Sequence, residues 1–249
     1  MNDKPRTLAV DIGGTGIKAL VLDPAGTPVA ERVRVATTYP MTPQKLVDVV
    51  VDLAGRLPDF DRISAGFPGV IRGGLVLTAP HFVTQRGPGT EVSDHLVKSW
   101  SRFDLAGGLS SRLDAPTRVA NDADLQGEAV VKGKGLEMVI TLGTGVGTAL
   151  FYEGHLSPHL ELAHHPFEKG GTYNDRIGDA ARKRVGPARW NRRVARAVAT
   201  LYDLVLYDHL YIGGGNSARI TFPLDANASI VDNSAGLLGG IKLWEAEHI

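Results

Sequence analysis

Two acids and three glycine clusters carry the chemistry available to this sequence. The stretch Leu8-Ala-Val-Asp11-Ile-Gly13-Gly14-Thr15-Gly16-Ile-Lys18 is an apolar run that ends in an acid and a glycine-rich turn. Gly13, Gly14 and Gly16 permit positive φ and let backbone N–H groups approach an anion with no side chain intervening. Thr15 adds a hydroxyl donor. Asp11, at the exit of the strand, is a poor phosphate ligand but a good partner for a hydrated Mg²⁺ that neutralises phosphate charge. After the turn, Ile17 to Leu22 resumes a strand pattern and Asp23-Pro-Ala-Gly26 supplies the next turn. The stretch is therefore neither a Walker A loop nor a dinucleotide fingerprint, both of which need a helix after the glycines. Taken alone, an ordinary glycine-rich β-hairpin is the competing reading.

The second acid is Asp122. A strand over Thr117–Ala120 delivers Asn121-Asp122 to the start of a helix expected over 125–131. An amide beside a carboxylate can hold the hydroxyls of a polyol, and the carboxylate can accept the proton of an attacking hydroxyl. Helix N-capping is the alternative use of both residues, and Asp124 fits the cap-and-dipole role better. From Met138 to Leu150 the opening design recurs: an apolar strand, the turn Gly143-Thr144-Gly145, and a second strand. Two such hairpins suggest an internal duplication in which each lobe offers one phosphate-binding hairpin across a cleft. A third cluster, Gly213, Gly214 and Gly215 after the apolar Leu210-Tyr-Ile212, offers a turn for the rest of a nucleotide or chain phosphate.

The elements that must position these residues can be read in order. Val29 to Val35 alternates apolar and charged residues as a half-exposed strand would. Pro43 to Ala54 has helical spacing, with Thr42 as N-cap and Gly55 near its end. Arg62 to Phe67 is a short strand, and Pro68-Gly69 is a turn that continues neither helix nor ladder; the Gly66-Phe67-Pro68-Gly69 lip either lines a ligand cleft or is a purely structural turn. Val70 to Leu77 is a hairpin around Gly73-Gly74. Thr78 to Gly89, with His81, Gln85 and Arg86, is a long loop of the kind that covers sites. Another helical pattern runs from Trp100 to Leu113.

With 249 residues, 43% hydrophobic and 22% charged, the chain is long enough for one large or two small domains, and two lobes are expected. Zero formal net charge gives no overall argument for nucleic acid or an anionic membrane. The absence of cysteine excludes disulfides, thiolate zinc sites and a cysteine nucleophile. No apolar run reaches membrane-span length and the N-terminus lacks a signal peptide's apolar core, so a soluble cytoplasmic protein is expected.

Asp11-Ile-Gly-Gly-Thr15, Gly66-Phe-Pro-Gly69, Asn121-Asp122, Leu142-Gly-Thr-Gly-Val-Gly147, Glu161-Leu-Ala-His164 and Ile212-Gly-Gly-Gly215 occur in the order found in ROK-family sugar kinases. From residue 7 to the end the chain resembles that family's short branch of polyphosphate/ATP glucokinases. The resemblance implies an α/β, actin-like ATPase (ribonuclease H-like) duplicated fold with two lobes around a central cleft. The lobes would comprise residues 1–118 and 119–233, with a C-terminal helix over 234–249, apolar at Leu237, Leu238, Ile241 and Trp244, packing back on the first. It makes Asp122 the general base for the terminal hydroxyl of a hexose. Asn121, with the Pro68-Gly69 lip, would hold neighbouring hydroxyls, and Glu161 and His164 the far end of the ring. Asp11 would position Mg²⁺, directly or through water. Gly13, Gly14, Thr15, Lys18, Gly143, Thr144 and Gly145, with Gly213 to Gly215, would bind the phosphates of ATP or inorganic polyphosphate. It also implies a homodimer and, as the reaction, glucose to glucose 6-phosphate. Phosphoryl transfer needs mainly positioning and charge neutralisation, so no covalent nucleophile is required.

Departures from the family pattern are specific. The Cys/His zinc module of larger members has no counterpart, Ala163 replaces a glycine, and His165-Pro166 follows. His81 stands where relatives place an asparagine. Glu168, Asn174 and Asp175 compete to replace a further sugar-binding glutamate. Arg182-Lys-Arg184, Arg189, Arg192-Arg193 and Arg196 make a basic helical face, read either as ordinary solvated charge or as a track for a long polyphosphate. The alternatives to a glucokinase are a kinase for another hexose or amino sugar and a non-catalytic sugar sensor on the same fold. The first strand begins by about Thr7, leaving no room for a helix-turn-helix before it and favouring the enzyme.

Overall fold

The computed structural model describes residues 5–231 and 235–245. It forms two compact units. One takes the described residues up to Leu125 together with Gly240–Glu245, the other those within Gln126–Gly239, so the division falls inside the helix Asp122–Val130.

In the first unit β1 (Thr7–Ile12), β2 (Gly16–Leu22) and β3 (Val33–Ala36) are antiparallel neighbours. Helix α1 (Pro43–Ala54), capped by Thr42 Oγ1 accepting from Lys45 N–H, leads to β4 (Arg62–Phe67), parallel to β1. β5 (Ile71–Arg72), β6 (Leu75–Val76), α2 (Asp94–Trp100), β7 (Phe103–Asp104) and α3 (Leu105–Leu113) follow, β5, β6 and β7 forming a small separate sheet. Then β8 (Thr117–Asn121) adds to β4 in parallel, giving the order β3-β2-β1-β4-β8.

The strand period of two sorts side chains by size. Leu8, Val10, Ile12, Ile63, Ala65 and Phe67 join the core with Leu46, Val50 and Leu53 of α1. The opposite positions, Thr7, Ala9 and Asp11 on β1 and Arg62, Ser64 and Gly66 on β4, are in register with one another and with Arg118 and Ala120 of β8. One face is thus a packed core, and the other carries Ala9, Ser64, Gly66 and Ala120 at its middle, small enough there to let another backbone come close.

Helix α4 (Asp122–Val130) leads into the second unit, where β9 (Leu136–Leu142), β10 (Val146–Tyr152) and β11 (His155–Leu156) are antiparallel. After α5 (Tyr173–Ile177), α6 (Asp179–Val185) and α7 (Pro187–Val205), β12 (His209–Gly213) and β13 (Ala228–Ile230) add in parallel. The order β11-β10-β9-β12-β13 matches the first sheet strand for strand, which is the duplication expected from the two hairpins. Trp190, Val194 and Leu201 of α7 pack on Met138, Ile140 and Ile212. Helix α8 (Ala235–Lys242) follows, and residues 240–245 belong to the first unit. Of the helix expected over 234–249, Ser234 and residues 246–249 lie outside the described residues, as do the side chains of Leu237 and Leu238. No helix among the described residues is long and apolar enough to cross a membrane.

Three expectations change. The strand expected over 29–35 is regular only over Val33–Ala36: Pro28, lacking an N–H, makes just an isolated bridge to Leu22, Val29 N–H donates to Val21 C=O at 2.9 Å, and the chain then leaves the ladder until Val33. The helix expected over 100–113 is broken: Trp100 ends α2, Arg102 takes φ 57°, Phe103–Asp104 joins the small sheet, and the Asp104 carboxylate accepts from Gly107 N–H to start α3. The helix expected from 125 begins at Asp122.

Candidate active site

In the first hairpin, Gly13 N–H donates to Gly16 C=O at 3.0 Å, closing the turn. Its outward carbonyls are claimed by a neighbouring segment: Thr37 Oγ1 donates to Gly13 C=O at 2.6 Å and Tyr39 OH to Gly14 C=O at 2.7 Å. Gly14 and Thr15 N–H, by contrast, have no hydrogen-bond acceptor among the described residues. A side chain at Gly14 would stand 2.4 Å from His81 Nδ1 and 3.2 Å from Pro88, so the 78–89 loop does lie against the hairpin. Lys18 Nζ donates to Asp11 Oδ2 at 2.7 Å, both half-exposed.

Asp122 opens α4 and its carboxylate accepts from Ala123 N–H at 3.0 Å. Asn121 is buried; its Oδ1 accepts from the same N–H at 2.7 Å, and its Nδ2 donates to Gly69 C=O at 3.0 Å and Phe67 C=O at 3.5 Å. The cap reading of Asn121 is therefore realised, and the amide also ties the helix to the Phe67–Gly69 lip; what it retains for a ligand is acceptor capacity on Oδ1. Pro68 and Gly69 are buried, and a side chain at Gly69 would meet Thr78 C=O at 2.0 Å, so this glycine is required by the turn itself.

Gly66 of β4 stands between Asp11 and Asp122. Gly66 pairs with Asp11 in register, and a Cβ on Gly66 would stand 3.7 Å from Asp122 Cα. Asp11 thus sits near the carboxyl end of β1 and Asp122 directly after β8, two parallel strands separated by β4, at the end where open α/β sheets bind ligands.

The second hairpin repeats the design. Gly143 N–H donates to Gly145 C=O at 2.9 Å, and Val146 N–H donates to Asn174 Oδ1 at 2.7 Å. The Asp179 amide donates to Gly143 C=O at 3.1 Å and Thr144 C=O at 3.3 Å, while Asn216 Nδ2 donates to Gly143 C=O at 3.2 Å. Thr144 and Gly145 N–H have no acceptor among the described residues. Gly213 to Gly215 brace this hairpin from behind. Gly214, at φ 86°, lies against Leu142, where a Cβ would meet backbone at 2.4 Å, and Asn216 N–H donates to Leu142 C=O. The Asp179 carboxylate accepts from Arg182 and Lys183, each at 2.7 Å. Hydrogen bonds from Lys183 and then Arg182 outweigh its desolvation and hold it down to about 2.

Glu161 and His164 lie in one turn of the second unit. Burial pushes the Glu161 carboxyl up, but the hydrogen bond from His159, that from Ala163 N–H at 2.9 Å, and the charges of His159 and His164 together hold it below the usual carboxylate range. His159 is almost wholly buried, 3.7 Å from Glu161. The three candidates for a further sugar-binding acid are all engaged locally: Glu168 with Arg193 and Arg196, Asn174 with Val146 N–H, and Asp175 in the capping box of α5. The sequence reading missed Thr37, Tyr39, His159, Asp179 and Asn216. Only Asn216, directly after three glycines, and His159, two residues before Glu161, stood beside a recognisable motif.

Among the described residues no group of three or more His, Asp and Glu is arranged to hold a metal. Asp11, one carboxylate already shared with Lys18, fits a Mg²⁺ bound chiefly through water and phosphate oxygens.

Residues 7–160 match the ROK family. Over 248 residues the chain is 26% identical to a polyphosphate glucokinase of Mycobacterium tuberculosis, covering 92% of this chain and 88% of the relative. An N-acetylmannosamine kinase of Escherichia coli is 30% identical over 155 residues, 60% of this chain and 48% of the relative. Among solved structures, the inorganic polyphosphate/ATP-glucomannokinase of an Arthrobacter species superposes with TM-score 0.79 at 30% identity, covering 96% of this chain and 97% of the other.

Proposed function

The chain belongs to the ROK family, with its actin-like fold, and on that premise we propose that it transfers a phosphoryl group from polyphosphate or ATP to the terminal hydroxyl of a hexose, glucose giving glucose 6-phosphate. The observation that carries this reading is the placement of two acids, Asp11 and Asp122, on either side of Gly66 at the carboxyl ends of β1 and β8. Asp122 takes the proton of the attacking hydroxyl. Asp11, oriented by Lys18, would hold a hydrated Mg²⁺, which when bound neutralises charge on the donor phosphates. In the first unit the N–H groups of Gly14 and Thr15 donate to phosphate, in the second those of Thr144 and Gly145 offer the same donors, and in each the braced carbonyls keep the hairpin from reorienting. Ionised Glu161 accepts hydrogen bonds from ring hydroxyls, and His164 beside it donates one. Asn121 positions Asp122 and offers one acceptor to the sugar.

The donor reading follows the names of the M. tuberculosis and Arthrobacter relatives, and an amino sugar is the competing acceptor because of the E. coli relative. A coupled phosphotransfer screen of glucose, mannose and amino sugars against ATP and polyphosphate tests both. Asp122→Asn is expected to keep sugar binding while kcat falls about 10²–10⁴-fold. Sugar binding with no turnover for any pair would make the protein a sensor instead. The homodimer belongs to the same proposal and is read by light scattering.

A further inference from the structure

The small-residue face of the first sheet has an occupant besides the two acids. Gly240 packs onto it, where a Cβ would stand 3.2 Å from Ser64 Cβ and 3.5 Å from Ala9 Cβ. Ser64 Oγ donates to Gly240 C=O at 2.5 Å and accepts from Trp244 Nε1 at 2.8 Å. The guanidiniums of Arg62 and Arg118 lie over the Trp244 ring, 5.2 and 4.6 Å from its centroid, and Arg118 also donates to Leu243 C=O at 2.5 Å. Two like charges on neighbouring strands repel, and the face of an indole is a group that attracts both.

These contacts converge on the catalytic strand. Leu243 is buried in a cluster with Ala120 and Leu125. Ala120 precedes Asn121 on β8, and Leu125 stands one turn into α4 from Asp122. On its other side Leu125 meets Gly66, whose Cβ would stand 3.2 Å from Leu125 Cδ2. The first turn of α4 is therefore wedged between the sheet and the C-terminal turn, and the missing side chain at Gly66 leaves Leu243 as its opposing support.

We propose that Leu243 and Trp244 are positioning residues for Asp122: the C-terminal turn fixes where β8 ends and α4 begins, and so aims the carboxylate. This rests on Asp122 being the general base. Small displacements of a base forfeit rate far more than they forfeit binding.

The test compares Leu243→Ala and Trp244→Ala with the full-length parent, reporting kcat per sugar-binding equivalent counted by calorimetry, so that loss of folded protein cancels. The expected result is a fall in kcat of about 10–100-fold at little-changed sugar Kd, with faster amide hydrogen exchange over residues 118–126. Trp244→Phe, which keeps the ring under both arginines, should restore most of the rate. Unchanged kcat per binding equivalent in both alanine variants overturns the proposal. Should these variants fail to fold, Leu243→Val takes their place, and the same drop or its absence decides. Absence of turnover in the parent would overturn the role of Asp122 alone; the exchange of residues 118–126 in Leu243→Ala or Leu243→Val then decides whether the turn holds α4, unchanged exchange refuting it.

Discussion

In the first hairpin the carbonyls of Gly13 and Gly14 are taken by the hydroxyls of Thr37 and Tyr39, whereas in the second those of Gly143 and Thr144 are taken by the Asp179 amide and the Asn216 side chain. Both arrangements leave N–H donors for a ligand. They differ in charge. The first hairpin has an acid at its root, Asp11, paired with a single cation; the second is braced by an acid that holds two, Arg182 and Lys183. On the proposed reading a duplicated backbone has diverged in how it would meet an anion: one copy is suited to recruit a metal, the other brings its own positive charge.

The largest effect is expected where bracing is backbone on backbone. Gly214→Ala would place a methyl 2.4 Å from Leu142 at a positive φ, and neither strand can yield. A loss of about 2–4 kcal/mol is expected, read as a lower denaturation midpoint. Gly14→Ala meets a side chain, His81, which can turn aside, so its cost should be smaller. Equal losses would remove the distinction between a rigid second hairpin and an adjustable first one.

Tyr39→Phe removes one hydroxyl from the first hairpin. A hydrogen bond of net worth about 1 kcal/mol translates to a rise in donor KM of roughly fivefold, measured with sugar saturating. Sugar KM should stay fixed. A change confined to sugar KM would mean that Tyr39 braces something other than the phosphate cradle.

How much of this was legible beforehand follows the range of the interaction. Asp11, the glycines and Asp122 were readable because strand period and turn chemistry are local, and the recurrence of Gly143-Thr144-Gly145 disclosed the duplication. Thr37 and Tyr39 were not, since they reach Gly13 and Gly14 from 24 and 25 residues away with no motif of their own. Asp179 stands in no motif, and its amide, which any residue possesses, carries the bracing. The helix expected over 100–113 failed for a similar reason: the pairing of Phe103 with Val76 overrides an apolar spacing that fits a helix.

Acid should weaken the second hairpin's support. Asp179 titrates at about 2 in the folded chain, below an ordinary aspartate near 4. Its stabilisation is therefore fully present above about pH 4 and is lost as pH falls toward 2. Lys183 is exposed and Asp179 and Arg182 keep partial access to solvent, which limits the contribution to below about 1 kcal/mol. Asp179→Asn should flatten that part of the stability profile; an unchanged profile would assign the acid sensitivity elsewhere.

The smallest effect on stability is expected from the basic run, which the structure separates into bound and exposed members. Arg193 is buried, donating to Arg176 C=O, and Arg196 pairs with Glu168 at 2.8 Å, so both are committed to the fold. Arg189 and Arg192 are exposed, with no salt bridge among the described residues. Converting both to alanine should move the melting point by less than the equivalent of about 0.5 kcal/mol. If exposed arginines recruit a long polyphosphate, the same pair should raise polyphosphate KM and weaken its salt dependence, because screening acts on exposed charge, while ATP KM holds. Equal loss with both donors would return Arg189 and Arg192 to ordinary solvated charge and leave the cations around Asp179 as the second hairpin's own supply.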